Sequence, residues 1–328
     1  MRARGNRPRC CVLWTVLQGQ PRCSRATLQQ RRHFQLASAS ATVDLAFDHH
    51  QPRRVTVRKP PLVIVHGLFG QKANWNAIAK PLAERVRAEI FTVDLRNHGA
   101  SEWHGRCRLI DLASDLAHFI RIYARHPAQH DGRTNLLGHS LGGKTAALLA
   151  LSQDGQQLID RLILADIVPK TRPDSFEGYQ LMTKYVQALV KLRPELQTYT
   201  NPNEARQVAE KALRPIVREH RVREFLLTNL CVRDGVVDWR LNVHAIANDL
   251  SDILQFPDAL VKGRTFARPT MSLAGALSDY VQPDDHDGMR ELFPQIRFER
   301  VLAAGHWIHA DQPYRFMEMV DAFLSDSM

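Results

Sequence analysis

Residues 134–151 read TNLLGHSLGGKTAALLAL, and the character of the chain changes twice within them. Residues 134–137 are a short β-prone run, residues 144–151 favour helix, and Gly138-His139-Ser140-Leu141-Gly142 lies between them. The pattern G-x-S-x-G places small residues around a serine where a strand turns sharply into a helix, leaving the hydroxyl exposed at the strand's end. Three matched positions say little alone, because glycine is common, 17 of 328 residues here. The setting between a predicted strand and a predicted helix is what the turn requires, and it makes Ser140 the candidate nucleophile.

Outward from this stretch, short β-like runs alternate with helical periodicities from Val43 onward, as in a parallel sheet covered by helices. Residues 62–65, 90–93, 134–137 and 162–165 are predicted strands, and residues 74–86, 109–123 and 144–151 predicted helices. Between about 170 and 263 the strands are predicted to stop. Tyr179, Met182, Val186 and Leu189 keep helical spacing there, as do Val222, Phe225, Leu226 and Leu230. That block is expected to be a helical lid over the carboxyl edge of the sheet. The alternation resumes with strands at 270–274 and 296–302 and helices at 287–292 and 313–324. The fold class is therefore α/β, with a mostly parallel central sheet flanked by helices and a helical lid inserted after the sixth strand.

A serine hydroxyl is a weak nucleophile at neutral pH and needs a neighbouring base. His306, in Ala304-Gly305-His306-Trp307 directly after the last predicted strand, is the candidate. The oxyanion of acyl transfer needs backbone N–H donors. Leu141, at the start of the helix, supplies one, and the turn after Val65 supplies the other from Leu68, with Phe69 as the alternative. His66 reads as a brace for that turn. Asp94, Arg96, Asn97, His98 and Ser101 read as a hydrogen-bonded loop beside the site, and Lys144 as a side chain projecting from its helix. His309 and Trp307 are expected at the site entrance without a catalytic role. Neither metal-ligand spacings of Cys and His nor a glycine-rich phosphate loop is present, so no cofactor and no metal are indicated.

These signals together resemble the α/β-hydrolase superfamily, and more narrowly the α/β-hydrolase domain-containing protein 11 family and its bacterial esterase relatives. The resemblance runs from about residue 62 to 324 and rests on HGLFG (66–70), DLRNHGAS (94–101), GHSLGGK (138–144) and AGHWIHAD (304–311). It implies a serine hydrolase acting on a small-molecule carboxylic ester or thioester through a Ser140 acyl-enzyme, with His306 as general base. Most hydrolases of this fold carry the third catalytic residue, an acid, three residues after the glycine closing the penultimate strand. Here that glycine is Gly275, and Ser278 stands at the expected place. Asp279 is adjacent, and Asp166 ends an earlier strand at the same sheet edge. The bacterial relatives look similar in having serine at the later site and aspartate at the earlier, which puts Asp166 first and Asp279 second. Animal members have also been assigned an acid in a lid segment resembling Leu241-Asn242-Val243-His244, but His244 stands where it would sit.

The net charge of +10 invites a nucleic-acid partner, since basic chains gain affinity from phosphates. Eight of those charges are arginines within the first 43 residues, which hold no acid, so the remainder carries only +2 and no nucleic-acid partner is expected. An Arg-rich, acid-free leader over residues 1–42 resembles a mitochondrial presequence, and the family's mitochondrial members agree with it. The hydrolase domain is expected at 43–328. Of five cysteines only Cys107 and Cys231 lie in that body, too few for a disulfide framework. No apolar stretch approaches the roughly 18 residues of a membrane-spanning helix. A catalytically silent binding protein on the same fold is the alternative, favoured by the missing acid and opposed by the presence of both Ser140 and His306. An epoxide hydrolase or dehalogenase would need aspartate at residue 140.

Overall fold

The computed structural model describes residues 36, 42–53, 59–125 and 130–326. The leader expected at 1–42 lies outside these, apart from Leu36 and Thr42. Seven strands form one sheet: β1 Phe47–His50, β2 Leu62–Val65, β3 Ile90–Val93, β4 Thr134–His139, β5 Ile159–Ala165, β8 Thr270–Gly275 and β9 Ile296–Val301. A separate hairpin pairs β6 Leu230–Arg233 with β7 Val236–Trp239. The sheet order is β1-β3-β2-β4-β5-β8-β9. Only β1, at the edge, runs antiparallel to its neighbour; all other pairings are parallel.

Strand side chains alternate between two apolar cores, which is why β2 can be buried at all four positions. Val63 and Val65 face one core with Leu136, Leu162 and Leu164, against helices Leu109–Phe119 and Leu141–Leu151. Leu62 and Ile64 face the other with Ile90, Leu137, Ile163 and Leu273, against helices Asn76–Val86 and Pro313–Ser325. The predicted strands and sheet helices fall where the periodicity put them, within a few residues at the ends. The helix expected at 109–123 closes as a π-helical turn, Ile120–Ala124.

The helical block holds two surprises. It leaves the sheet after β5, the fifth strand among the described residues, where the sequence reading placed it after the sixth. Strands do not stop within it either. Helices Glu177–Leu196, Pro202–Leu213 and His220–Leu227 are followed by the β6–β7 hairpin before short helices resume at Val243–Asn248. Leu230, counted with a helix in the sequence, begins a strand. The hairpin forms because Asp234-Gly235 takes positive φ at both positions, 51° and 83°, the tight turn that matches strand twist. Val237 N–H donates to Tyr199 O (2.8 Å) and Trp239 Nε1–H to Leu189 O (3.0 Å), tying the hairpin to the helical block. Among the described residues no helix is long and apolar enough to cross a membrane.

Candidate active site

Ser140 stands between β4 and the helix Leu141–Leu151 with φ 52° and ψ −116°, a backbone conformation that a non-glycine residue adopts only under strain. Its neighbours explain how the turn is held. A Cβ on Gly138 would lie 2.2 Å from Gly142 O, and one on Gly142 would lie 2.5 Å from the carbonyl oxygens of Val65 and His66. Glycine at both places lets the backbone approach that closely. Ser140 N–H donates to Ala165 O (3.1 Å), anchoring the turn to the end of β5. As first residue of its helix, Leu141 has no intrahelical acceptor for its N–H. Among the described residues the amides of Leu68, Phe69 and Leu141 donate to no carbonyl.

The acid expected first lies where the imidazole needs it. His306 Nδ1–H donates to Asp166 Oδ2 at 2.7 Å, although 140 positions separate them in sequence. Asp166 is fully buried at the end of β5, and its carboxylate accepts two further hydrogen bonds. Gly275 N–H reaches Oδ1 (2.9 Å), and Ser278 Oγ–H reaches Oδ2 (2.5 Å). The serine at the family's usual acid position thus supports the aspartate that lies elsewhere. Asp279, the alternative acid, is exposed and makes no contact with His306, because the chain turns its side chain outward directly after buried Ser278. With Nδ1 carrying a proton toward Asp166, Nε2 keeps its lone pair. Tyr280 stacks on the His306 ring (centroids 4.1 Å apart), and His139 Nε2–H donates to His306 O (2.9 Å). Sequence reasoning missed both supports, since neither carries a motif.

Ser140 and His306 line one cavity of about 230 Å³ between the sheet's carboxyl edge and the helical block. Among the described residues the Ser140 hydroxyl has no hydrogen-bond partner, His306 included. Its walls are largely apolar: Ile167, Met182, Val222, Phe225, Leu226 and Ile253 contribute. Trp307 lines the mouth beside Phe225, its ring 5.2 Å below the Arg221 guanidinium carbon. His309 is buried and stacked on Trp75, with burial driving its pKa down to about 3, so it stays neutral.

The flanking loops are rigid hydrogen-bonded structures, as expected. His66 Nδ1–H donates to Gly67 O (2.8 Å) while Nε2 accepts from Leu95 N–H (3.0 Å), bracing one side of the cavity against the chain after β3. Desolvation lowers its pKa to about 4. Asp94 accepts from the amides of Lys72 (2.5 Å) and Ala100 (2.8 Å), and Arg96 forms a fully buried ion pair with Asp115 (2.5 Å). Lys144 corrects the sequence reading. It does not project outward but is buried at 3% exposure, because helix Glu177–Leu196 covers it, and Nζ donates to Tyr179 Oη (2.7 Å) and Leu254 O. Among the described residues no group of three or more His, Cys, Asp or Glu is arranged to hold a metal.

A strained serine at a strand-to-helix turn, a histidine after the last strand and a buried aspartate at the end of β5 together define an α/β-hydrolase. A family model described as alpha/beta hydrolase fold matches residues 60–313, and the chain belongs to that family. Within it the chain is similar to "sn-1-specific diacylglycerol lipase ABHD11" of Danio rerio. They are 39% identical over 266 residues, which is 80% of this chain and 78% of the relative. The mouse protein of the same name is 38% identical, covering 81% of each. A "Putative esterase/lipase" of Haemophilus influenzae is 28% identical over 86% of this chain and 88% of its own. Among solved structures, "Marine microorganism esterase" superposes with a TM-score of 0.74 at 27% identity, covering 86% of this chain and 100% of that one. The resemblance drawn from the motifs is borne out, and the expected class, a carboxylic ester hydrolase, agrees with these relatives.

Proposed function

We propose that the protein hydrolyses carboxylic esters or thioesters through a covalent acyl-enzyme on Ser140, with His306 as general base and Asp166 as the acid that orients it. The observation that carries this reading is the 2.7 Å His306–Asp166 contact, made on the wall of the cavity that Ser140 also lines. Ser140 Oγ attacks the acyl carbonyl as its proton passes to His306 Nε2. The tetrahedral oxyanion takes the amide hydrogens of Leu68 and Leu141, each donor lowering the barrier by ~3 kcal/mol. Collapse expels the alcohol or thiol, which receives the proton from His306. A water molecule then repeats the sequence on the acyl-enzyme, releasing the acid and restoring Ser140. Hydrogen-bond reach between Ser140 and His306 closes when substrate enters, as apo contacts of this kind commonly tighten on binding.

The largely apolar cavity suits an acyl chain, in keeping with the lipase and esterase names of the relatives. The helical block over it serves as the lid that sets the pocket's shape. A fluorophosphonate probe should label the wild-type protein and leave Ser140→Ala unlabelled, and the wild type should turn over p-nitrophenyl acetate. Labelling of the variant at another residue would remove Ser140 from its role, and a folded wild type without turnover would favour the silent binding protein. Residues 1–42 we assign to mitochondrial import, into the matrix, from their eight arginines and lack of acids. Fused to a fluorescent protein, they should carry it to mitochondria; diffuse fluorescence would exclude that location.

A further inference from the structure

The hydrolytic steps proposed above make no use of Lys144, although it lines the same cavity one helical turn beyond Ser140. A lysine in such a place needs a reason, because burying an ammonium without a counter-charge is unfavourable. Among the described residues, Lys72 and Lys170 pair with carboxylates, of Asp48 and Asp285; Lys144 does not. Burial lowers its pKa to about 7, Arg172 opposes its ionisation further, and Asp258 favours it. Asp285 is taken by Arg172 (2.8 Å) and Lys170, and Asp258 accepts from Thr171 N–H (3.1 Å), so neither carboxylate pairs with Lys144.

What Lys144 and its partner can still do follows from counting hydrogens. The ammonium has three N–H donors, and two are spent on Tyr179 Oη and Leu254 O. Tyr179, which also lines the cavity, accepts one of these and keeps its own O–H to donate. When Lys144 is protonated, the pair therefore turns its two remaining donors toward the cavity, with no carboxylate hydrogen-bonded to the charge. A hydroxyl or amide entering here could accept from these donors but would leave the charge unmatched. An ionised carboxylate brings acceptors alone, together with the missing charge.

Resting on the hydrolase reading above, we propose that Lys144 and Tyr179 form a carboxylate-binding subsite, so that the favoured substrates are esters or thioesters bearing a carboxylate on their acyl or alcohol part. The test compares half-esters of dicarboxylic acids, and acyl esters of hydroxy acids, with neutral esters of equal length. For the wild type, kcat/KM for the charged ester should exceed that of its neutral counterpart at one or more lengths. Lys144→Met should lower that ratio by ~10-fold or more, the range expected for losing a charged hydrogen bond. Tyr179→Phe should lower it by less. Because the ratio cancels any general loss of activity, a folding defect does not imitate the effect. A ratio below one at every length, or one unchanged in Lys144→Met, overturns the proposal. A second arm separates it from the chemistry. On Ser140→Ala protein, calorimetry with uncleaved half-amides should give tighter binding of the carboxylate form than of its neutral counterpart. That binding without wild-type turnover would count against the hydrolase reading alone, whereas equal affinities would sink the subsite.

Discussion

Ser140 carries backbone strain that Gly138 and Gly142 make room for but do not remove. Such a conformation costs ~1–3 kcal/mol, and glycine adopts it freely. Ser140→Gly should therefore unfold at a higher temperature than the wild type while losing all turnover, a split readable by calorimetry and a p-nitrophenyl ester assay. The acid can be assigned by the same residue-level reasoning. Asp166→Asn should keep the fold but lower kcat by about 10⁴, because an amide can donate to Nδ1 and stabilise the wrong tautomer. Asp279→Asn should leave kcat at the wild-type level, since its exposed side chain reaches none of these groups. Ser140 and His306 were legible in the sequence because each sits in a motif whose chemistry is local. Lys144 was not, since a lysine four positions after a nucleophile reads as an exposed helix residue until a second helix is laid over it.

The β6–β7 hairpin is the element that periodicity concealed. Its strands are four residues each, shorter than the helices on either side, and Leu230 continued the helical spacing of Val222 and Leu226. The signal lay in the turn: Asp234-Gly235 between Leu230-Cys231-Val232 and Val236-Val237 is a strong local mark of a hairpin. Gly235 holds φ 83° in open space, so a side chain there meets backbone strain and no clash. Gly235→Ala should lower stability by ~1–2 kcal/mol, seen as a shifted midpoint in urea with an unchanged slope. Hydrolysis of small esters should survive it, because no hairpin residue lines the cavity.

Across the whole molecule, burial of neutral histidines governs the response to acid. Desolvation lowers the pKa of His66 to about 4 and of His98 and His309 to about 3, and it pushes His139 down as well. In the unfolded chain these groups protonate near 6.5, so below that pH the unfolded state binds more protons. Their contribution to stability is fully present above pH 6.5 and is lost as pH falls through 6.5 toward 4 and 3. Asp94 and Asp115, raised by burial, offset part of this loss, whereas His50 and the lowered Asp111, Asp238 and Asp285 add to it. Urea midpoints should thus fall steadily from pH 7 to pH 4. A flat profile would show that these imidazoles are already hydrated in the folded state.

The sequence alone determined the strand-and-helix alternation, the serine turn and the histidine after the last strand. Each is written in neighbouring residues: apolar period, glycines that permit a close approach, a motif at a strand's end. Only the tertiary structure decided which carboxylate meets the imidazole, that Ser278 supports it, and that Lys144 lies inside the cavity. Those outcomes depend on parallel strands β5, β8 and β9 delivering their ends side by side, and on which helix closes over the edge. Contacts across 112 and 140 positions are set by packing of the whole sheet, and no short stretch of chain encodes them.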